Sequence, residues 1–355
     1  MSQFYKLEVV DVNQEAEDAI SVGLNISTND LRSKFNFKPG QYLTFKFMIN
    51  GVEERRSYSL CSSPFEDELL RVAVKKVKNG KVSTYINTAL KVGDEVEVMV
   101  PQGNFTLDIS PQQENVYVAF AAGSGITPIM SMIKSVLKKE VNSKFVLFYG
   151  NKTIDSTIFK SQLDNLSGDK LCVEYVYSRY KGVDELHSGR LDEEKANLLL
   201  KQNIDLLRAE GFYLCGPEEM ILNVSKCLEG FDINKDKIHY ELFTTPILFA
   251  KENTPLELNE EFKGQAKIKV ICDDEEVEFS LAADGEVILD AAMEHDLDLP
   301  FSCKGGVCCT CKAKIIEGKV TMDANYALSD SEVEEGYVLT CQSHPASSFV
   351  IVDYD

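Results

Sequence analysis

Four cysteines near the end of the chain have types and spacing that suit metal chemistry. Cys303, Cys308 and Cys311 form a C-x4-C-x2-C group, and Cys341 follows after a long gap. A [2Fe–2S] cluster is held by four thiolates, and this is one of the spacings that supplies them. The glycines at 305–306 let the backbone approach an inorganic group closely. The pattern predicts an iron–sulfur site whose fourth ligand comes from a separate element.

Other uses of these cysteines stay open on sequence alone. Cys308 and Cys311 are also a C-x2-C pair of the kind that binds zinc, with His344 three positions past Cys341, although a second close pair is missing. Disulfides are less expected, because nothing marks the chain as secreted. Cys309 does not fit the C-x4-C-x2-C spacing, and we expect its side chain to act as a small apolar group that binds no metal.

The composition sets limits on the class of protein. The chain has 355 residues, 44% hydrophobic content and a net charge of −20, so we expect two or three packed domains and no nucleic-acid partner. The first 30 residues show no basic segment followed by an apolar run, and no stretch approaches the ~20 apolar residues of a membrane span. A cytoplasmic protein without a membrane partner is the expectation.

The negative charge is concentrated towards the end of the chain. Residues 262–355 hold 7 Lys and 19 Asp or Glu, a net of 7 − 19 = −12. Such a surface is either simply solvated or steers the module towards a basic patch on an electron acceptor.

Residues 1–107 are predicted to form an antiparallel β-barrel. Leu43, Phe45, Phe47 and Ile49 alternate with other side chains, which is the period of a half-buried strand. Similar short runs follow between glycine turns, as expected of a small barrel.

Within this barrel stands the sequence RRSYSL, residues 55–60. Its R-x-Y-S core, Arg56-Ser57-Tyr58-Ser59, resembles the flavin motif of the ferredoxin–NADP reductase superfamily. The resemblance implies that Arg56 pairs with a flavin phosphate, that the Tyr58 ring lies against the isoalloxazine, and that Ser59 hydrogen-bonds flavin N5.

A short helical pattern follows a glycine at position 80. Gly80, Val82 and Ser83 match the superfamily's diphosphate segment, where free backbone N–H groups bind FAD, which favours FAD over FMN. An ordinary helix with Ser83 as its cap is the competing interpretation. Val74 and Lys75 match the strand that lines the flavin ribityl in relatives, largely through the backbone.

Residues 108–243 change character to a doubly wound α/β domain. Apolar runs at 116–121, 144–150, 171–177 and 211–216 alternate with helical patterns, which is typical of parallel strands separated by helices. After the first run, Gly123, Gly125 and Thr127 match the superfamily's G-x-G-x-T-P, where the turn approaches a diphosphate at a helix N-terminus.

The resemblance places further residues around a nicotinamide nucleotide. Cys215 and Gly216 match a C-G-P motif that lines the nicotinamide pocket, although Cys215 could equally be a buried small residue. Ser178 and Arg179 follow the third strand and suit the 2′-phosphate of NADPH, which we expect over NADH.

Glu241 and Phe243 resemble the superfamily's terminal E-x-F strand, with the carboxylate facing the active site and the ring at the flavin edge. The catalytic assignments that the resemblance implies are Ser59, Thr127, Cys215 and Glu241.

Residues 244–262 are predicted to be a linker, and residues 263–355 resemble the plant-type ferredoxins, an α+β (β-grasp) domain. We expect a helix over 286–293 and a capping box at Ser329 and Glu332. The domain order resembles the reductase subunits of phenylacetyl-CoA epoxygenases and of related multicomponent oxygenases.

That resemblance implies electron transfer from NADPH through FAD to the cluster and on to an oxygenase component. An NADH-dependent reductase for another Rieske or di-iron hydroxylase is the runner-up. A non-catalytic iron–sulfur redox sensor is the interpretation from a different functional class.

Overall fold

The computed structural model describes residues 3–66, 68–247, 262–273 and 275–355. Three sheet-based units follow one another in these ranges. The predicted linker at 244–262 lies mostly outside the described residues, and Ile247, just before the gap, is exposed. None of the helices in the described ranges combines the length and the apolar character needed to cross a bilayer.

The first unit is a six-stranded antiparallel barrel. Its strands and helices are β1 (Tyr5–Ala16), β2 (Ala19–Asn25), α1 (Asn29–Lys34), β3 (Tyr42–Ile49), β4 (Val52–Ser59), β5 (Leu70–Lys75), α2 (Lys81–Thr88) and β6 (Glu95–Val98). The strand order is β4-β3-β6-β1-β2-β5, and a bridge between Leu60 and Val72 joins the two edge strands. The sheet therefore closes on itself at this bridge.

The second unit is a five-stranded parallel sheet in the order β11-β10-β7-β8-β9. Its elements are β7 (Val116–Ala122), α3 (Ile126–Lys139), β8 (Lys144–Asn151), α4 (Lys160–Leu166), β9 (Leu171–Tyr177), α5 (Glu193–Gln202), β10 (Gly211–Cys215), α6 (Glu218–Gly230) and β11 (Ile238–Glu241). Successive β7 residues enter different cores, one shared with α3 and α4 and the other with α5 and α6. Helices cover both faces, so the prediction of a doubly wound domain is confirmed.

Helix α3 also joins this unit to the barrel. Ile129, Met132 and Ile133 are fully buried and share one core cluster with the barrel residues Ala73 and Phe105. The two units therefore meet along an apolar face at the start of α3.

The third unit is a mixed sheet in the order β13-β12-β18-β14-β16, with β15 paired to β17 beside it. Its elements are β12 (Gln265–Cys272), β13 (Glu275–Ala282), α7 (Ile288–Met293), β14 (Lys312–Glu317), β15 (Val320–Met322), α8 (Asp330–Glu334), β16 (Tyr337–Leu339), β17 (Ser343–Pro345) and β18 (Phe349–Asp353). The predicted capping box is present, since Ser329 accepts from the backbone of Glu332 and the Glu332 side chain accepts in return.

One helix start differs from its prediction, and one competing interpretation is wrong. The helix expected from Glu286 begins at Ile288, because Val287, its N-cap, is still extended. Ser83 is not a helix cap: α2 begins at Lys81 after Gly80, and the Ser83 hydroxyl accepts from the backbone N–H of Val77 at 3.2 Å.

Candidate active site and iron–sulfur loop

One cavity of about 350 Å³ lies where the three units meet. This volume falls within the range of small-molecule and cofactor sites. Predicted site residues from all three units line it: Arg56, Ser57, Tyr58, Ser59, Lys75, Gly80, Val82, Ser83, Thr127, Glu241, Phe243, Cys303 and Cys308. The flavin motif and two of the four cysteines therefore border the same space.

Strand β4 carries the flavin motif, and successive side chains of the motif point to opposite faces of the strand. It pairs with β3 so that Ser57 is opposite Thr44, and Tyr58 is opposite Leu43. Tyr58 packs on the barrel core, with its ring 5.8 Å from that of Phe45, while Ser57 lies on the opposite face. Because Tyr58 is held by its neighbours, its ring forms a preformed wall of the cavity.

The start of α2 offers unpaired backbone donors to the same cavity. Gly80 is the N-cap and provides no side-chain cap, so the first N–H groups of the helix lie open to a ligand. The half-exposed guanidinium of Arg56 stands nearby, with its Nη2 3.2 Å from Glu54. Amide donors and a cation fit a phosphate group, and so the cavity suits a flavin nucleotide.

Glu241, the last residue of β11, lies beside Ser59 in the cavity wall. The Ser59 hydroxyl donates to Glu241 Oε2 at 3.1 Å. Burial raises the pKa of Glu241 to about 8, and the hydrogen bond from Ser59 opposes this shift. The carboxyl group is therefore mostly protonated at neutral pH and can hold a proton beside the cavity.

This shift predicts a pH-dependent stability in flavin-free protein. The folded pKa of Glu241 lies above its ordinary value near 4.5, so its favourable contribution is present below about pH 4.5 and is lost as pH rises through about 8. Relative to Glu241→Gln, the wild type should lose about 1.4 kcal/mol per pH unit inside this window. Denaturant unfolding at pH 5, 7 and 9 checks it, and a constant difference between the two proteins would contradict it.

The glycine turn after β7 packs directly on the end of β10. A Cβ on Gly125 would lie 2.0 Å from the carbonyl oxygen of Cys215, and one on Gly216 would lie 2.8 Å from the Met220 methyl. Gly123 has a positive φ of 55°, and a Cβ there would meet open space. The turn thus needs glycine for close packing at Gly125 and for backbone conformation at Gly123.

The remaining predicted nucleotide residues surround this turn or lie beyond it. Thr127 lines the cavity, and its hydroxyl donates to the carbonyl of Ser124 at 3.0 Å. Cys215 is fully buried, which raises the pKa of its thiol. Ser178 and Arg179 are exposed at the carboxyl end of β9, away from the cavity lining. Val74 also lies outside the lining, with its side chain in the barrel core.

The cysteine loop brings the four predicted sulfur ligands together. The sulfurs of Cys303 and Cys308 are 3.1 Å apart, and the Cys341 side chain contacts those of Cys303 and Cys311. The backbone N–H of Gly305 donates to the Cys303 sulfur at 3.3 Å, which stabilises a thiolate. Gly306 has the left-handed φ of 73° that closes the loop.

This donor set fits two irons. The four side chains form one connected group, in which Cys303 contacts Cys308 and Cys341, and Cys341 contacts Cys311. A [2Fe–2S] cluster is held by four thiolates, two for each iron, and this group supplies all four.

The contact between the barrel and the cysteine-loop unit has no counterpart in the sequence patterns. The Arg55 side chain, 5% exposed, donates to Asp298 at 3.0 Å and to the carbonyl of Leu299 at 3.1 Å. It also lies over the Phe301 ring, 4.2 Å from the centroid. The doubled arginine at positions 55–56 is the one sequence feature that could have indicated this contact.

Comparison with protein-family profiles assigns each unit. The oxidoreductase FAD-binding domain matches residues 6–107, the oxidoreductase NAD-binding domain matches residues 120–226, and the 2Fe-2S iron-sulfur cluster binding domain matches residues 270–346. The predicted fold class and the FAD, pyridine-nucleotide and [2Fe–2S] cofactors are thereby confirmed.

Curated relatives match this chain along almost its whole length. A subunit of the 1,2-phenylacetyl-CoA epoxidase of Escherichia coli K12 is 38% identical, over 100% of this chain and 99% of its own length. The ferredoxin reductase component of 3-ketosteroid-9-alpha-monooxygenase from Rhodococcus rhodochrous is 29% identical, over 98% and 96%.

Solved structures share the same fold. Phthalate dioxygenase reductase matches with a TM-score of 0.59 at 23% identity, over 99% of this chain and 98% of that chain. An intact type IV self-sufficient cytochrome P450 monooxygenase matches with a TM-score of 0.71 at 22% identity, over 98% of this chain and 41% of that one. These two likenesses support the three-unit architecture.

The sequence relatives and the three matching domain profiles carry the assignment further than the fold. They show that the chain belongs to the family of oxygenase reductases that includes this Escherichia coli epoxidase subunit, and that it is an NAD(P)H-dependent flavin and iron–sulfur oxidoreductase.

Proposed function

We propose that the chain passes electrons from NADPH through FAD to its [2Fe–2S] cluster and on to the oxygenase component of a phenylacetyl-CoA epoxidase-like system. The observation that carries the proposal is the shared cavity, which Tyr58 and Ser59 border on one side and Cys303 and Cys308 on the other. A flavin bound there would stand between a nucleotide donor and the cluster. The flavin supplies the conversion between two-electron and one-electron transfer.

The barrel residues of the cavity hold the flavin in this proposal. Arg56 pairs with phosphate, since its guanidinium lines the cavity and offers a fork of donors. The Tyr58 ring supports the isoalloxazine, and the backbone from Gly80 to Ser83 binds the diphosphate. Lys75 and Val74 line the ribityl chain, Val74 through its backbone because its side chain is buried in the barrel.

The α/β unit supplies the nicotinamide side of the cavity. Gly123 and Gly125 let the turn approach the diphosphate, and Thr127, whose side chain reaches the cavity, positions the reacting ring. Cys215 and Gly216 close the pocket wall. Cys215 acts as an uncharged buried group, because burial raises the pKa of its thiol and keeps it protonated.

In the wall of the cavity, Ser59 and Glu241 share a hydrogen bond. In this proposal they hold a proton where the flavin ring would react. Phe243 lines the cavity beside them and shields the ring edge from water.

NADPH preference is assigned to Ser178 and Arg179, which are exposed beyond the end of β9. Arg179→Glu should raise the KM for NADPH by about tenfold or more, because a charge-assisted contact to phosphate is lost and a repulsive one is gained. The KM for NADH should change little. Steady-state reduction of ferricyanide with each nucleotide measures both values.

A matched control is available on the same domain. Arg208→Glu makes the same charge change at an exposed site just before β10, at the amino end of that strand, and should leave both KM values unchanged. Equal effects of Arg179→Glu on NADPH and NADH would remove the 2′-phosphate assignment.

The oxygenase partner is tested by reconstitution. Purified protein should contain FAD, iron and acid-labile sulfide, and should support NADPH-dependent epoxidation when mixed with the oxygenase subunits of a phenylacetyl-CoA epoxidase. The net charge of −12 on residues 262–355 favours a partner with a basic docking surface. A chain that reduces ferricyanide yet supports no such oxygenase would refute this partner and leave the electron path intact.

A cytoplasmic location completes the proposal. All ten cysteines are free, and cluster-binding thiolates persist in a reducing compartment.

A further inference from the structure

A buried chain of hydroxyl groups crosses from the barrel to the cysteine loop. The Ser57 hydroxyl donates to that of Ser302 at 2.8 Å and also lies 3.0 Å from that of Thr44. Thr44 lies 3.4 Å from the Thr310 hydroxyl, which is 3.1 Å from that of Tyr42. The chain therefore alternates between strands β3 and β4 on one side and the loop on the other.

The chain ends on the cysteine loop itself. The backbone N–H of Cys309 donates to the Tyr42 hydroxyl at 3.1 Å. Ser302 directly precedes Cys303, and Thr310 directly precedes Cys311. The barrel therefore holds the loop at points adjacent to three of the predicted cluster ligands.

Four of the five hydroxyl residues are withdrawn from water, and Ser57 is half-buried. Thr44 is 0% exposed, Thr310 2%, and Tyr42 and Ser302 5% each. Buried hydroxyls without a partner are costly, so Tyr42, Ser302 and Thr310, whose partners lie across the contact, favour a loop that stays against the barrel. Tyr42 and Ser302 also line the cavity, which places the hydroxyl chain between the flavin site and the cluster site.

We propose that this hydroxyl chain, with Tyr42 as its main positioning residue, holds the cluster loop at the flavin cavity in the arrangement that passes electrons from flavin to cluster. The proposal rests on the function given above and adds the residues that set the distance between its two redox groups. Tyr42 acts through the loop backbone and binds no metal.

The first test measures the contact without measuring activity. Tyr42→Phe keeps the ring and removes the hydroxyl, so the Cys309 N–H loses its acceptor. Hydrogen–deuterium exchange of the holoprotein should speed up about tenfold in the peptide spanning 305–312, as expected for an unsatisfied buried donor. The same peptide should exchange faster in Thr44→Val, which breaks the chain at its middle and serves if Tyr42→Phe folds poorly.

Tyr117→Phe is the matched control. Tyr117 is a buried tyrosine whose hydroxyl donates to Glu140 at 3.0 Å within the α/β unit, so its loss costs a similar hydrogen bond away from the interface. Its exchange at 305–312 should equal that of the wild type. Unchanged exchange in both Tyr42→Phe and Thr44→Val would overturn the proposal.

The second test follows the electrons. In stopped-flow experiments with NADPH, flavin reduction in Thr44→Val, whose position lies outside the cavity lining, should keep its wild-type rate, whereas the appearance of reduced cluster should slow. Equal slowing of both steps, or of neither, would overturn a positioning role. The flavin, iron and sulfide content of the purified proteins shows which proposal has failed. Wild-type protein without these cofactors would refute the proposed function. Variants that carry all of them but show normal exchange would refute only this inference.

Discussion

Cys341→Ser should remove the iron–sulfur absorbance from the purified protein and leave its flavin bound. Cys341 comes from the turn at Thr340–Gln342, remote in sequence from the other three cysteines, and its side chain contacts those of Cys303 and Cys311. A serine hydroxyl at neutral pH is a far weaker iron ligand than a thiolate. NADPH-dependent reduction of cytochrome c, which draws on the cluster, should fall to background, while reduction of ferricyanide by the flavin should persist.

Cys309→Ser provides the control within the same loop. Cys309 adjoins Cys308 in sequence, but it packs towards the barrel, where its sulfur lies 3.8 Å from the Tyr42 hydroxyl. The variant should keep a normal cluster spectrum and normal cytochrome c reduction. A normal cluster in Cys341→Ser, or its loss in Cys309→Ser, would show that the four ligands are wrongly assigned.

Gly125→Ala should cause the second large effect, on the α/β unit. Its Cβ would be placed 2.0 Å from the backbone oxygen of Cys215, and neither the turn nor β10 has a flexible side chain that can yield. The turn and the strand must separate, at a cost of about 3 kcal/mol as for severe overpacking. Thermal unfolding should shift to a lower temperature, and the KM for NADPH should rise because both sides of the nucleotide pocket move.

Gly168→Ala is the corresponding control in the same unit. A Cβ at Gly168 would meet nothing within 4 Å, and its backbone conformation is not left-handed. Its melting temperature and NADPH kinetics should match those of the wild type. A Gly125→Ala protein with unchanged stability would mean that this close approach is absent in solution.

The three units could be predicted from sequence because their signals are local. The spacing of the four cysteines, the alternation along β3 and the apolar runs of the α/β unit are each written within a short segment. The apolar run at 171–177 is observed as strand β9, Leu171–Tyr177, because the strand begins and ends where the apolar run does. Helix ends were less predictable, as at Glu286, where one extended residue decides the start.

Such local patterns could not predict the contact between the barrel and the cysteine-loop unit. The alternation of β3 predicts that Thr44 faces water, yet Thr44 is fully buried. The cysteine loop covers it, with Thr310, which lies 266 positions away in the chain, in contact with its hydroxyl. Neither Thr44 nor Arg55 has a local sequence signal for burial, because the covering surface belongs to another unit.

The composition of the contact between the barrel and the cysteine loop affects how easily it can open and form again. Its hydroxyl groups can be hydrated when the surfaces part, because water can replace each of their partners. The Phe301 ring, over which Arg55 lies, would be exposed at the same time. Opening would therefore cost little in lost hydrogen bonds, and burial of this ring would favour closing again.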